Sequence, residues 1–236
     1  MKREILDALQ AARAEHRTAA LVTDLASGAQ TLVVDGAATG DVPVDPALQG
    51  AIDEALRHNR SRTAADGTLF IQAFVPPLRL AIVGAVHIAQ ALAPMAALAG
   101  YDVTVIDPRR AFASDERFPG VKVSTEWPDD GLNALKPDRR TAVVTLTHDP
   151  KLDDPALDVA LKSPAFYIAA LGSRKTHAGR IERLTALGHG ANALARIHGP
   201  AGLALGAVSP AEIAISVMAQ MTAVLHGAEP HGKAPA

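Results

Sequence analysis

At 236 residues, 48% of them hydrophobic, the chain is long enough for one large domain or two small ones with real cores. A formal net charge of −2 and an aromatic content of only 3% remove both the electrostatic drive toward nucleic acid or an anionic membrane and a base-stacking platform. The absence of cysteine excludes disulfides, a thiolate nucleophile, Cys-ligated zinc and iron–sulfur clusters, and it fits a cytoplasmic protein.

The N-terminal MKREILDALQAARAEHR has helical apolar spacing with charges throughout, so it reads as an amphipathic helix and not a signal peptide. TAALVTD and QTLVV follow as short strands about a Ser27-Gly28 turn. A second helix starts at Asp45-Pro46 and runs to His58, with Pro just inside its start. RTAADGTLFIQAFV reads as a hairpin turning at Asp66-Gly67. Pro76-Pro77 then interrupts any strand ladder and marks the expected boundary, giving a small α+β domain over 1–77.

From Leu78 the pattern becomes strand–helix alternation, which implies a Rossmann-like parallel α/β sheet over 78–226. LRLAIVG, YDVTVID, VKVST, TAVVTLTHD and AFYIAALGS are the five expected strands. A helix is expected from His87 to Leu98, stopped by Gly100, and another over DDPALDVALKS with Pro155 at its first position. A third runs from the Ser173 cap to a Gly188 stop. The last is opened by Ser209-Pro210-Ala211-Glu212, a capping box, and extends to His226. Its apolar length suggests packing between the protomers of a homo-oligomer. Residues 227–236 read as a flexible tail. No run of about 18 apolar residues offers a membrane span.

The loop after the first strand of this domain is Gly84-Ala85-Val86-His87-Ile88-Ala89. A dinucleotide fingerprint needs its first glycine for the tight turn, its second for close approach of the pyrophosphate, and its third for helix packing. Gly84 meets the first need and Ala89 is tolerable at the third, but β-branched Val86 stands at the second. Asp107 closes the second strand where a ribose-binding acid is expected. The loop therefore suits a phosphate-bearing ligand other than the usual NAD of a dehydrogenase, held at a helix N-terminus.

Ligands in open parallel sheets sit beyond the carboxyl ends of the strands. Those ends deliver His87, Asp107, Arg109, His148, Asp149, Lys151, Asp153, Asp154, Gly172, Ser173, Arg174, His177, His198, Gly199 and Pro200. Asp153 and Asp154 read equally well as helix caps, and Arg174, Lys175 and Arg180 as a solvated helix face. Four histidines near one edge raise a metal or acid–base possibility, with no metal assigned. No His-Glu-x-x-His, nucleophile-elbow or P-loop motif is present.

IVGAVHIAQALAPMA, YDVTVIDPRRAFASDERFPG, TLTHDPKLDDPAL, SPAFYIAALGSRKTHAGRIERL, ARIHGPAGLALGA and SPAEIAISVMAQ together resemble the XdhC/CoxI family. The resemblance runs in order from about Leu78 to Gln220. It implies an accessory chaperone, not a catalyst of turnover. Such a protein would bind the molybdenum cofactor (molybdopterin) transiently while its sulfur is installed and assist insertion into a molybdenum hydroxylase of the xanthine or carbon monoxide dehydrogenase type. The implied partners are the apo-hydroxylase and a cofactor sulfurase. The family pattern carries over at the strand-end residues named above other than Arg109, Gly84 included, and at Glu212. It departs at Val86, where the family usually has glycine. It also departs in the first domain, which lacks the family's Ser-Ala-Pro-Arg-like and Gly-Gly-Cys segments. An NAD(P)-binding oxidoreductase and a nucleotide-sensing interaction module are the alternatives.

Overall fold

The computed structural model describes residues 2–65 and 67–228. The chain divides into two compact units after Pro76.

The first unit runs α1 (Arg3–Ala14), β1 (Ala19–Asp24), β2 (Gln30–Val34), β3 (Ala37–Gly40), α2 (Pro46–Arg57), β4 (Arg62–Thr63) and β5 (Leu69–Phe74). Its strands form an antiparallel sheet in the order β3-β2-β1-β5-β4. Both faces are covered. Ala19, Leu21 and Leu32 pack on Ile5, Leu9 and Ala12 of α1. Ala20, Val22, Val33 and Ile71 pack on Leu48, Ile52 and Ala55 of α2. This explains why β1 is apolar at consecutive positions, unlike a strand with one wet face. Asp45 caps α2 through the Leu48 amide, as its Asp-Pro start implies. β3, absent from the sequence expectation, is exposed throughout and lacks an apolar face. Its signal was Asp35-Gly36, both at positive φ, a two-residue hairpin turn that pairs Val34 with Ala37. Asp66 of the second expected hairpin lies outside the described residues, as do 229–236 of the expected tail; β4 and β5 on either side pair antiparallel.

The second unit runs β6 (Leu78–Val83), α3 (His87–Leu98), β7 (Tyr101–Ile106), β8 (Lys122–Ser124), α4 (Pro128–Leu135), β9 (Thr141–Thr145), α5 (Pro150–Lys162), β10 (Tyr167–Ala170), α6 (Arg174–Ala186), α7 (Ala191–Leu194), β11 (Ile197–His198) and α8 (Pro210–His226). The sheet is parallel throughout, in the order β11-β10-β9-β6-β7-β8. The α/β class with a Rossmann-like sheet and a separate antiparallel region is therefore as expected. Successive residues of β6 face opposite layers. Leu80 and Ile82 join Leu92 of α3 and Val217 and Met221 of α8. Ala81 and Val83 join Leu132 of α4, Leu157 of α5 and Leu184 of α6. The apolar stripe of α8 is thus used within the unit. Its capping box is formed as expected, with Ser209 and Glu212 exchanging backbone bonds.

Three local expectations need correction. α5 begins at Pro150, capped by Asp149, so Pro155 lies inside the helix. Asp153 and Asp154 consequently belong to its interior and cap nothing. Two Asp-Pro pairs compete in this segment, and the earlier one starts the helix. α4, α7 and the two-residue β11 were unexpected because they are short.

Candidate functional site at the strand-end switch point

The chain moves outward from β6 through β7 to β8, then returns to place β9 on the other side of β6. The direction of winding therefore reverses between β6 and β9. In such sheets the crevice outside the carboxyl ends at that reversal is where ligands bind. Two loops flank it here: 84–86 after β6 and 146–149 after β9.

Gly84 has φ +109, and a Cβ there would lie 2.5 Å from Thr147 Cγ2, so only glycine lets the two loops meet. Ala85 is held from both sides. Its amide donates to Asp107 Oδ2 at 2.8 Å, and its carbonyl accepts from Arg117 Nη1 at 2.9 Å. Val86, the misfit in the fingerprint, packs half-buried against the sheet core. His87 opens α3 and is exposed.

Asp107, expected to meet a ribose, is 0% exposed. It takes the Ala85 amide, the Arg109 amide and a two-pronged bond from Arg109 Nε and Nη2 at 2.9 and 2.8 Å. Burial alone would raise its pKa, but the bonds from Arg109 and the two amides outweigh that and hold it below the usual carboxylate value. Its oxygens thus serve the loop and Arg109. The Arg109 guanidinium lies 4.6 Å over the Phe112 ring and is partly exposed.

Across the crevice, His148 is exposed and sits at φ +62. The left-handed region costs an L-residue about 1–2 kcal/mol, and such strain concentrates at binding and catalytic sites. Thr147 holds it there. The Thr147 hydroxyl donates to Asp153 Oδ1 at 2.6 Å and accepts the Asp149 amide at 3.1 Å. Asp149 in turn caps α5 through the Lys151 amide, and its charge reinforces that of Arg109. Lys151 itself is exposed. Asp153, 1% exposed, faces Arg180 Nη2 at 3.4 Å. Burial outweighs the Thr147 and Arg180 contacts and pushes its pKa up. Asp154, its neighbour, turns instead to a two-pronged pair with Arg183 on α6, away from this network.

The turn after β10 brings Gly172 and Ser173 to the start of α6, where the Ser173 hydroxyl takes the Thr176 amide and Arg174 and Lys175 stand exposed. Arg180, expected on a solvated face, is instead 1% exposed. Its Nη2 reaches back to the Leu171 carbonyl at 2.9 Å, while Nε and Nη1 have no partner. A buried donor left unpaired costs about 1–3 kcal/mol. His177 is tucked against Gly199, where a Cβ would meet its Nδ1, and that Nδ1 is also buried without a partner. Burial, then the Arg180 charge, lowers its pKa. His198 stacks on Tyr167 with ring centroids 4.9 Å apart, and burial lowers its pKa too. The Gly199–Pro200 bond is cis. Tyr167 is fixed by Gln220, whose Oε1 accepts from the Tyr167 hydroxyl and the Gly202 amide.

The parallel sheet thus delivers the expected residues to one edge, Asp154 excepted by its turn toward Arg183. Glu212 serves its own helix start. Among the described residues, no three His, Asp or Glu side chains stand together as a metal-binding group, so the four histidines do not form one. Arg117 and Gln220 organise the edge with no signal in the sequence, while Thr147 and Arg180, which the sequence puts at the end of the fourth strand and two turns past the fifth, do so through contacts it does not announce. A salt-bridge or loop-clamping role leaves no spacing signature. No described helix is long and apolar enough to cross a membrane.

Residues 80–221 match the model of the XdhC Rossmann domain. The chain is 29% identical over 225 residues to YqeB of Escherichia coli (strain K12), covering 85% of this chain and 41% of that protein. It is 33% identical over 171 residues to the molybdenum cofactor insertion chaperone PaoD of the same organism, covering 72% of this chain and 48% of PaoD. It is also 32% identical over 154 residues to a probable xanthine dehydrogenase component of Bacillus subtilis (strain 168), covering 65% of this chain and 44% of that one. The chain therefore spans less than half the length of these curated relatives. The crystal structure of a xanthine dehydrogenase from Bacillus halodurans shares the fold, with a TM-score of 0.68 at 23% identity over 95% of this chain and 66% of that one. With the matched residues covering more than half of its length, the chain belongs to the XdhC Rossmann domain family.

Proposed function

We propose that this chain binds the molybdenum cofactor as cargo at the β6–β9 switch point and delivers it to a molybdenum hydroxylase, without catalysing turnover itself. The observation that carries the reading is the pairing of a glycine-tight loop at Gly84 with the strained, exposed His148 across the crevice, in a chain related to PaoD. The residues present suit an anionic, heterocyclic ligand. The α6 start with Arg174 and Lys175 offers amides and cations. His87 and His148 offer imidazoles at the crevice, and buried Arg180 offers unpaired donors.

An ordinary NAD mode is disfavoured. The acid that would take the ribose is sealed on the Ala85 amide and Arg109. The reading extends to transient cofactor binding during sulfuration, with a sulfurase and an apo-hydroxylase as partners, in the cytoplasm. Clients include xanthine and carbon monoxide dehydrogenase types. The first unit (1–77) serves as a partner-docking surface.

Reconstitution tests the reading. Apo-hydroxylase is incubated with free cofactor, with and without this protein. Faster and more complete activation with the protein is the expected result; equal activation in its presence and absence counts against the reading.

A further inference from the structure

Six buried side-chain polar atoms among the described residues lack a hydrogen-bond partner, and four of them belong to Thr145, His177 and Arg180. Thr145 ends β9, while His177 and Arg180 lie one and two turns into α6. Unmet hydrogen-bonding capacity is thus concentrated at one end of the sheet instead of being scattered through the core. Native proteins leave few such groups, so a cluster of them calls for a missing partner.

The charge at this place is also incompletely answered. Arg180 reaches back beside the turn that starts α6, through its bond to the Leu171 carbonyl. Its protein counter-charge is Asp153, at 3.4 Å, a long contact for an ion pair. One Asp153 oxygen is already engaged by Thr147, and burial favours the carboxyl's neutral form. The other charged groups near Arg180 do not make up the deficit. His177 repels it when protonated, and Asp154 is committed to Arg183. Three N–H donors of a guanidinium therefore have no acceptor, beside a helix start whose first amides also favour an anion. His177 also lines a groove of about 570 Å³ together with Ile181, His189, Leu194 and Ile197.

We infer that Arg180, flanked by His177 and the Leu171–Ser173 turn, is the seat for a phosphoryl oxyanion. Arg180 supplies the buried donors, and the α6 start with Arg174 and Lys175 supplies the outer field. Asp153 sets the position of the guanidinium without saturating it. The assignment rests on the cofactor-handling reading only for which molecule carries the phosphoryl group; a free phosphate and the terminal phosphate of a larger ligand present the same chemistry.

The test uses the intact chain labelled with ¹⁵N-arginine, with the Arg180 Nε–H resonance assigned through bonds. It is titrated with inorganic phosphate, with glycerol phosphate, and with chloride at matched ionic strength. A saturable shift of the Arg180 Nε–H with phosphate and not with chloride is expected. An equal shift with glycerol phosphate supports a seat for the phosphate of a larger ligand, and a shift with inorganic phosphate alone supports a seat for the free anion. Arg180→Lys, where it folds, is expected to weaken phosphate binding at least tenfold, because the compact ammonium cannot reach the same positions. No shift, an equal shift with chloride, or phosphate binding that leaves Arg180 Nε–H unmoved overturns the assignment. Cofactor retention measured on the same preparation separates the two claims: retention without an Arg180 response defeats the seat alone, and an Arg180 response without retention defeats the cofactor reading alone.

Discussion

Thr147 stands where a side chain on Gly84 would have to be, 2.5 Å from the position of a Cβ, so the two loops that frame the switch point can meet only because residue 84 is glycine. Gly84→Ala adds that clash to a φ of +109 that L-residues avoid. The expected loss is about 2–3 kcal/mol in urea unfolding. Gly190→Ala, which meets open space and has no positive φ, is the control expected to change little.

The neighbouring aspartates of α5 should part sharply. Asp153 is buried against buried Arg180, and removing one member of such a pair leaves an uncompensated charge. Asp153→Ala is therefore expected to cost about 3–5 kcal/mol. Asp154 pairs with the half-exposed Arg183, so Asp154→Ala should cost about 1 kcal/mol or less. Chemical unfolding of both variants checks the contrast.

His148 should show a trade of stability for binding. Glycine at 148 relieves the left-handed strain at the cost of greater freedom in the unfolded chain, for a net gain of about 0.5 kcal/mol. The same change removes the exposed imidazole from the crevice. A variant that unfolds later on heating yet retains less cofactor is the expected result, read by calorimetry and by cofactor content.

The two half-buried histidines set a pH dependence. Burial, with Arg180 as the second cause at His177, keeps the pKa of His177 and His198 below the ordinary 6.5. The unfolded chain then binds more protons than the folded one below that value, so stability is present above about pH 6.5 and is lost as the pH falls through the window beneath it. Asp153 acts in the opposite sense, since its raised pKa favours a proton in the folded state, and it offsets part of the histidine effect wherever its window, which runs upward from 3.8, meets theirs. The thermal midpoint should fall from about pH 7 to about pH 5. His198→Phe, which keeps a ring on Tyr167 and removes the titration, should flatten part of that slope.

Much of this was legible in the sequence wherever a signal was local. Asp45-Pro46, Ser173 and Ser209-Pro210-Ala211-Glu212 placed three helix starts, because caps and first-turn prolines act within a few residues. The continuous apolar run of β6 revealed a parallel strand covered on both faces. Pro155 misled because an Asp-Pro pair signals a helix start wherever it stands, and only the burial of Leu152 and Asp153 shows that the helix has already begun. The strand-end convergence was readable, since parallel strands must send their carboxyl ends one way. The burial of Asp107 and of Arg180 was not. Each depends on a partner 22 or 27 residues away, Ala85 in one case and Asp153 in the other, and no periodicity encodes such contacts.

The central claim is that the β6–β9 switch point holds the molybdenum cofactor. The most direct measurement is the pterin content of the anaerobically isolated protein, read by fluorescence after oxidation, for the wild type and for His148→Ala. Near-stoichiometric pterin in the wild type, falling several-fold in a variant that keeps its thermal midpoint, is what the account predicts. Absence of pterin from a wild type produced in cells that make the cofactor, or equal content in the two proteins, would contradict it.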